Sequence, residues 1–331
     1  MKKMIFAVLI TIAMLSITAC GTRKLRYDPE DYVLETEYKD DFKILQLSDI
    51  HMANKDNQDR QYRFLKLIIE DADADLIVVT GDIFTFADKA TAKRLFDFLD
   101  SFDTPWSVTF GNHDEQCYFP ITWMTDYLNN YGSNCLFKDI QDDDVFGSSN
   151  FAINLTNDDG TVKEQVIIMD SNRYNYGEYL GYDYIKQDQI DWYERLVEYT
   201  TEQNDGKIVP SILMFHIPLP EWNDAIKAAE NGDPDAEHQY GEMNEGVSSP
   251  KYNSGFFDKI LELDSTKAIM VAHDHVDNLR VKYKGVILSY GLTSTDRIYY
   301  QEDMLGGTVV TIHDDNSLEY EYLYHTYEEV E

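Results

Sequence analysis

"FKILQLSDIH", residues 42–51, decides the fold. Its first six positions carry Phe, Ile and two Leu, too few for a helix of ordinary length and apolar enough for a strand buried on both faces. The run then breaks into Asp49 and His51, polar groups placed where such a strand would leave the core. The arrangement recurs twice: "LIVVT" at 76–80 runs into Gly81 and Asp82, and "WSVTF" at 106–110 runs into Gly111, Asn112 and His113. Between these runs, "QYRFLKLIIEDA" (61–72) and "DKATAKRLFDFLDSF" (88–102) read as helices. Strands alternating with helices of this length predict an α/β protein with parallel strands.

The second half has more β character. "NFAINLT" and "EQVIIMD" form a predicted hairpin around "NDDGT", whose Asn, Asp and Gly suit a tight turn. "YIKQDQIDWYERLVEYTTEQ" (184–203) reads as a helix; "IVPSILMF", "KAIMVA", "GVILSY" and "TVVTI" read as strands, and residues 230–254 as a long loop. "SILMF" leads into His216, and "AIMVA" into His273 and His275. In an open α/β sheet the carboxyl ends of strands line the ligand crevice. Seven candidate ligands and one further histidine, His113, therefore converge there. A single Asp-x-His or Gly-Asp is also what an ordinary surface turn contains. Five of the eight histidines, however, fall in this ordered set, leaving His238, His313 and His325 for surface or packing roles. Two divalent ions about 3.5 to 4 Å apart, held by such a mixed O/N shell, activate a water and clamp the oxygens of an in-line displacement at phosphorus. Asp82, at the end of the central strand, is the natural bridging carboxylate.

"DIH" (49–51), "GD" (81–82), "GNHD" (111–114), His216 and "HDH" (273–275) resemble, in order and approximate spacing, the calcineurin-like metallophosphoesterases. "FHIPLPEW" and "GFFDKILE" resemble the purple-acid-phosphatase-like branch of that family. The resemblance implies a four-layer α/β/β/α sandwich with two mixed sheets and a metal site at the carboxyl ends of the strands. It implies one metal on Asp49, His51, Asp82 and His275, and a second on Asp82, Asn112, His216 and His273. His113 would stand beside the substrate, protonating the leaving oxygen or stabilising the phosphoryl charge, with Asp114 orienting its ring, while a metal-bridging hydroxide attacks phosphorus. Mixed N/O ligands suit Mn, Fe, Zn or Co as the two divalent ions. Ala272 stands where the family usually has Gly, and a methyl group there bears on the placing of His273. Glu115 and Asp274 read as exposed carboxylates, and Asn172, Arg173, Tyr174, Tyr176 and Arg297 are left outside the site.

Residues 1–19 begin with Lys2 and Lys3, continue as "MIFAVLITIAMLSI" and end in small residues before Cys20, resembling a bacterial lipoprotein signal whose cleavage leaves Cys20 lipidated. Residues 20–40 then read as a polar tether and 41–331 as one metallophosphoesterase domain, exported and anchored to a bacterial membrane through the lipid. Removing the two signal lysines takes the formal charge from −33 to −35. Such a field repels polyanions and excludes a nucleic-acid polymer as partner. Two divalent ions less two aspartates and a hydroxide still leave about one positive charge in the site, enough for a compact phosphate. The expected activity is hydrolysis of phosphomonoesters or small phosphodiesters; the alternatives are a nucleotide phosphodiesterase or nucleotidase, and a non-catalytic surface-binding lipoprotein on the same fold. Cys117 and Cys135 are equally compatible with a disulfide and with two buried thiols.

Overall fold

The computed structural model describes residues 27–54, 58–141, 144–177 and 180–331. The signal segment and Cys20 lie outside the described residues. In chain order the strands are β1 (Val33–Glu37), β2 (Phe42–Leu47), β3 (Leu76–Thr80), β4 (Trp106–Thr109), β5 (Phe151–Thr156), β6 (Val162–Ile168), β7 (Tyr174–Asn175), β8 (Gly181–Tyr182), β9 (Ser211–Met214), β10 (Ala236–Tyr240), β11 (Thr266–Val271), β12 (Arg280–Tyr283), β13 (Val286–Tyr290), β14 (Gly306–Ile312) and β15 (Leu318–Tyr324). The helices are α1 (Gln58–Ala72), α2 (Lys89–Asp100), α3 (Ile121–Asn129), α4 (Gln187–Gln203), α5 (Glu221–Glu230) and α6 (Phe256–Leu263).

Two mixed sheets form the centre. One has the order β15-β14-β2-β3-β4, with β2, β3 and β4 parallel; the other has the order β1-β5-β6-β9-β11-β13-β12-β10, with β6, β9, β11 and β13 parallel. Strand alternation divides the side chains between layers. Ile212 and Met214 of β9 join the core between the sheets, which also takes in α1 to α3, while Leu213 and Phe215 face the core under α4 to α6. This double burial explains why the parallel strands read as unbroken apolar runs. The helices are held by amphipathic stripes, Phe64, Leu65, Ile68 and Ile69 on α1 being buried at roughly 1.5 to 3 kcal/mol each. Asp88 caps α2 by accepting from the Thr91 amide at 2.9 Å. The result is the expected four-layer α/β/β/α sandwich.

Two local expectations change, and the cysteine question left open is decided. Residues 29–37, read as part of the tether, form a 3-10 turn (Pro29–Tyr32) and β1, which pairs in parallel with β5. The loop at 230–254 contains β10, antiparallel to β12. Both are edge strands half open to water, so neither carries an apolar run. Cys117 and Cys135 are separate thiols, the second buried.

Candidate metal centre

Five strand ends deliver the site, three from one sheet and two from the other. β2 leads to Asp49 and His51, β3 to Asp82, β4 to Asn112 and His113, β9 to His216, and β11 to His273 and His275. The chain turns sharply out of β2, β3 and β11. Asp49 (φ 51°), His51 (φ 46°), Asp82 (φ 47°) and His273 (φ 81°) all lie in the left-handed region, which side chains other than glycine rarely adopt. Backbone strain of this kind gathers at functional sites, where the surrounding fold over-determines it. The glycines of the two motifs are required by close approach: a Cβ on Gly81 would sit 2.7 Å from the His216 ring, and one on Gly111 only 2.3 Å from Asp82 Oδ1. At the last motif the left-handed angle falls on His273 and not on Ala272, so the methyl group there meets no backbone penalty.

Six of the seven expected ligand residues come together, and all seven, Asn112 included, are at least nine-tenths buried. Asp49, His51, Asp82 and His275 form one group and Asp82, His216 and His273 another, with the offered atoms of each group within 4.8 Å of one another. Asp82 joins them through a single oxygen: Oδ2 lies 3.7 Å from His51 Nε2 and 3.2 Å from His216 Nε2, while Oδ1 accepts the His113 amide at 2.7 Å. His51 Nε2 and His275 Nε2 are 3.2 Å apart, and His273 Nδ1 and His216 Nε2 are also 3.2 Å apart.

The hydrogen-bond inventory tests whether a cation pair suits this arrangement. His216 Nδ1 meets the Thr80 carbonyl at 2.9 Å and His275 Nδ1 meets the Tyr299 carbonyl at 2.8 Å. A carbonyl only accepts, so each Nδ1 carries the proton and each Nε2 turns toward the cluster, with a lone pair when the ring is neutral. Among the described residues Asn112 Oδ1 is buried with no hydrogen-bond donor, and Asp49 Oδ1 faces only His275 Nε2, 3.3 Å away. Converging nitrogens and an orphaned oxygen fit two cations of borderline or hard character. Burial drives His51 down to about 4 and His273 down to about 3, toward the neutral ligand form. At His216 burial is outweighed by the Asp82 carboxylate, which lifts the ring to about 9; at Asp49 and Asp82 burial is likewise outweighed, there by the imidazoles, and both carboxyls fall below their usual range. The carboxylates thus hold protons on neighbouring imidazoles, and loading a cation would displace them.

Two site expectations are corrected. Asp114 does not orient the His113 ring. Its Oδ1 accepts from the Phe84 amide at 2.9 Å and its Oδ2 from the Gly111 amide at 2.8 Å, pinning the loops on either side of Asp82. Burial, with Asp82 nearby, pushes Asp114 up to about 8 against the pull of those amides. Gln116 orients the ring instead, its Oε1 lying 3.0 Å from His113 Nδ1. The Asp274 side chain is buried, not exposed, and accepts from the Ser248 amide at 3.1 Å and the Tyr290 hydroxyl at 2.7 Å.

The sequence reading also set aside residues that touch the ligand shell. Tyr174 OH accepts from Asn112 Nδ2 at 2.8 Å, turning the orphaned Oδ1 away from itself. Thr85 Oγ1 lies 2.7 Å from His51 Nδ1, and the Tyr299 ring stacks on His275 with centroids 4.3 Å apart. The aromatic content of "DSNRYNYG" was the only signal for Tyr174; nothing marked Thr85, Gln116 or Tyr299. Arg173 pairs with Glu115 at 2.9 Å, and Arg297 bonds Gln61.

Comparison with known proteins agrees with this geometry. The profile of the calcineurin-like phosphoesterases matches residues 42–277. Among sequence relatives, "Probable inactive purple acid phosphatase 29" of Arabidopsis thaliana is 28% identical, covering 87% of this chain and 79% of its own length. "Probable inactive purple acid phosphatase 14" of the same plant is 24% identical over 82% of this chain and 72% of its own. Among solved structures, a dimetal phosphatase from Danio rerio superposes with a TM-score of 0.55 at 12% identity, covering 87% of this chain and all of that one. GAP50, described as the anchor in the inner membrane complex of Plasmodium, gives a TM-score of 0.54 at 12% identity over 88% and 87% of the two chains. The structural likenesses speak to the fold alone. With the profile matched from β2 through the last histidine motif, the protein belongs to the calcineurin-like phosphoesterase family, metal-dependent hydrolases of phosphoester bonds.

Proposed function

We propose that this protein is an exported, lipid-anchored phosphoesterase that hydrolyses phosphomonoesters or small phosphodiesters. The observation that carries the reading is the converging donor set: the fixed Nε2 atoms of His216 and His275, gathered with Asp49, His51, Asp82 and His273 in two groups that share Asp82. When bound, two divalent cations there supply an activated water and charge neutralisation at phosphorus. The chain's own residues do the rest. A water oxygen forms a bond to phosphorus as the bond to the ester oxygen breaks, and the departing alkoxide takes a proton from His113. Gln116 Oε1 holds a proton on Nδ1 of that ring, so the exchanging proton sits on Nε2. The His113 amide on Asp82 Oδ1 fixes the ring's loop relative to the ligand shell. Residues 1–20 support the exported, anchored part of the reading, and net charge supports small substrates over polymers.

A second reading, a non-catalytic surface protein, is favoured by the word "inactive" in the names of the plant relatives. Turnover of p-nitrophenyl phosphate and bis(p-nitrophenyl) phosphate, measured after loading with Mn, Fe, Zn or Co and again with EDTA, separates the two. EDTA-sensitive hydrolysis is the expected result, and its absence with every metal favours the second reading. His113→Ala is expected to lower turnover by about 10² to 10⁴-fold with bound metal, read by elemental analysis, unchanged.

A further inference from the structure

The chain enters the domain at the end of the sandwich that carries the metal centre. β9 and β11 deliver His216, His273 and His275 from their carboxyl ends, and β6 runs parallel to them. β5 is antiparallel to β6 and β1 is parallel to β5, so β1 starts at the metal-centre end and runs away from it. Three strand spacings, about 14 Å, separate β1 from β9 across the sheet. Ahead of β1 the chain is already fastened: Tyr27 is buried, its ring 5.1 Å, centroid to centroid, from Tyr32, which stands 5.7 Å from Trp192 of α4. Gly21 to Arg26 are all that joins Tyr27 to Cys20, a reach of about 25 Å at full stretch. Arg23, Lys24 and Arg26 place cations and no acid in that segment, although the chain carries 61 acids. A basic stretch beside a lipid anchor is drawn onto anionic headgroups.

Exposed apolar side chains gather at the same end. β3, β10 and β13 run toward the metal-centre end and β5 runs from it, so the loops after the first three and before the last open there. Phe86 follows β3, Tyr252 lies between β10 and α6, Ile298 follows β13 and Phe146 precedes β5, all exposed. Leu180, 76% exposed, precedes β8 in the segment that leaves β6. Of the exposed large hydrophobic side chains among the described residues, Ile208 alone lies at the far end, between α4 and β9. Exposed apolar residues concentrated on one face mark association with a protein or a membrane. The tether decides between the two, because with Cys20 acylated it holds a bilayer within reach of this face. The negative charge of the domain is screened beyond about 8 Å at physiological ionic strength and does not keep it at the limit of that reach. Resting on the anchored phosphoesterase reading above, we infer that the metal-centre end of the domain seats on the bilayer that holds the anchor, and that its substrates are phosphomonoesters carried by lipids in that bilayer. The bonds made and broken are those given above, with phosphate released to water and the lipid alcohol left in the membrane.

The full-length chain, loaded with metal and reconstituted in vesicles of phosphatidylethanolamine and phosphatidylglycerol, tests this. Mass spectrometry of the N-terminal peptide reads the acyl groups on Cys20. Replacing Phe146, Leu180 or Ile208, one at a time, by the photo-crosslinking residue p-benzoylphenylalanine reads the seating without any need for turnover. Lipid adducts are expected at the first two positions and none above background at the third. Phosphatidic acid in the same vesicles is expected to be hydrolysed about tenfold or more faster than glycerol 3-phosphate at equal total concentration, since both release a primary glycerol alcohol and only the first is concentrated at the surface. In Phe146→Ser/Leu180→Ser that ratio falls several-fold, while the glycerol 3-phosphate rate and the melting temperature hold because both side chains stand in water. An acylated chain with equal adducts at all three positions, with none, or with a ratio near one overturns the inference, and turnover of p-nitrophenyl phosphate then leaves the phosphoesterase reading intact. Absence of turnover on every ester defeats that reading and the substrate claim together, and the adducts alone decide the seating. A Cys20 without acyl groups defeats the anchor and the seating with it.

Discussion

Replacing Gln116 by Leu and, separately, Asp114 by Asn tests the assignment of roles around His113. Gln116→Leu removes one contact, the 3.0 Å hydrogen bond at His113 Nδ1. A hydrogen bond accepted from a ring that is cationic until it gives up its Nε2 proton contributes about 1.5 to 3 kcal/mol to holding that ring in its working orientation, and about 1.4 kcal/mol is tenfold in rate. The expected result is a kcat lower by about 10 to 100-fold on p-nitrophenyl phosphate, with metal content and melting temperature unchanged. Asp114→Asn is a different perturbation. Both carboxylate oxygens accept main-chain amides, from Phe84 at 2.9 Å and Gly111 at 2.8 Å. An amide side chain can serve one of them and turns its own N–H groups on the other. An orphaned buried donor costs about 1 to 3 kcal/mol, and here it sits beside the loop that seats Asp82. Asp114→Asn is therefore expected to lower the melting temperature and the retained metal, with activity falling through that loss. Thermal unfolding, elemental analysis and kcat on the same preparations separate the outcomes. A silent Gln116→Leu, together with an Asp114→Asn that melts and binds metal normally yet loses turnover, would refute the reasoning and return the orienting role to Asp114.

Tyr174→Phe removes the acceptor that holds the Asn112 amide, and metal affinity at the group containing His216 and His273 is expected to fall about tenfold or more, with the Asp49 group retained; stepwise metal titration reads this. Glu164, buried in β6 with neither oxygen hydrogen-bonded among the described residues, has its carboxyl pushed up to about 8 by burial. The unfolded chain releases that proton near its ordinary value of 4.5 while the folded chain keeps it, so stability drains away as pH rises from about 4.5 to 8. Glu164→Met should show no such loss. Its advantage over the parent, from urea unfolding at pH 4.5 and pH 8, is expected to widen by a few kcal/mol, and a constant difference would rule out the ionisation account.

What the sequence by itself determined follows from periodicity and from motif order. β2, β3, β4, β9 and β11 are buried on both faces, so each reads as an apolar run, and each stops at the Asp, Asn or His it delivers. The candidate ligand residues were legible there, and six of them gather in the two groups that share Asp82. β1 and β10 were not, because edge strands half open to water carry no such run. Tertiary structure alone decided which Asp82 oxygen faces both groups, that Gln116 and not Asp114 meets the His113 ring, and that Tyr174 turns Asn112. The physical reason is range. A buried strand declares itself through its own side chains, whereas a hydrogen bond is settled by a fraction of an ångström. Between Tyr174 and Asn112, 62 positions apart, only the packing of two sheets sets that distance.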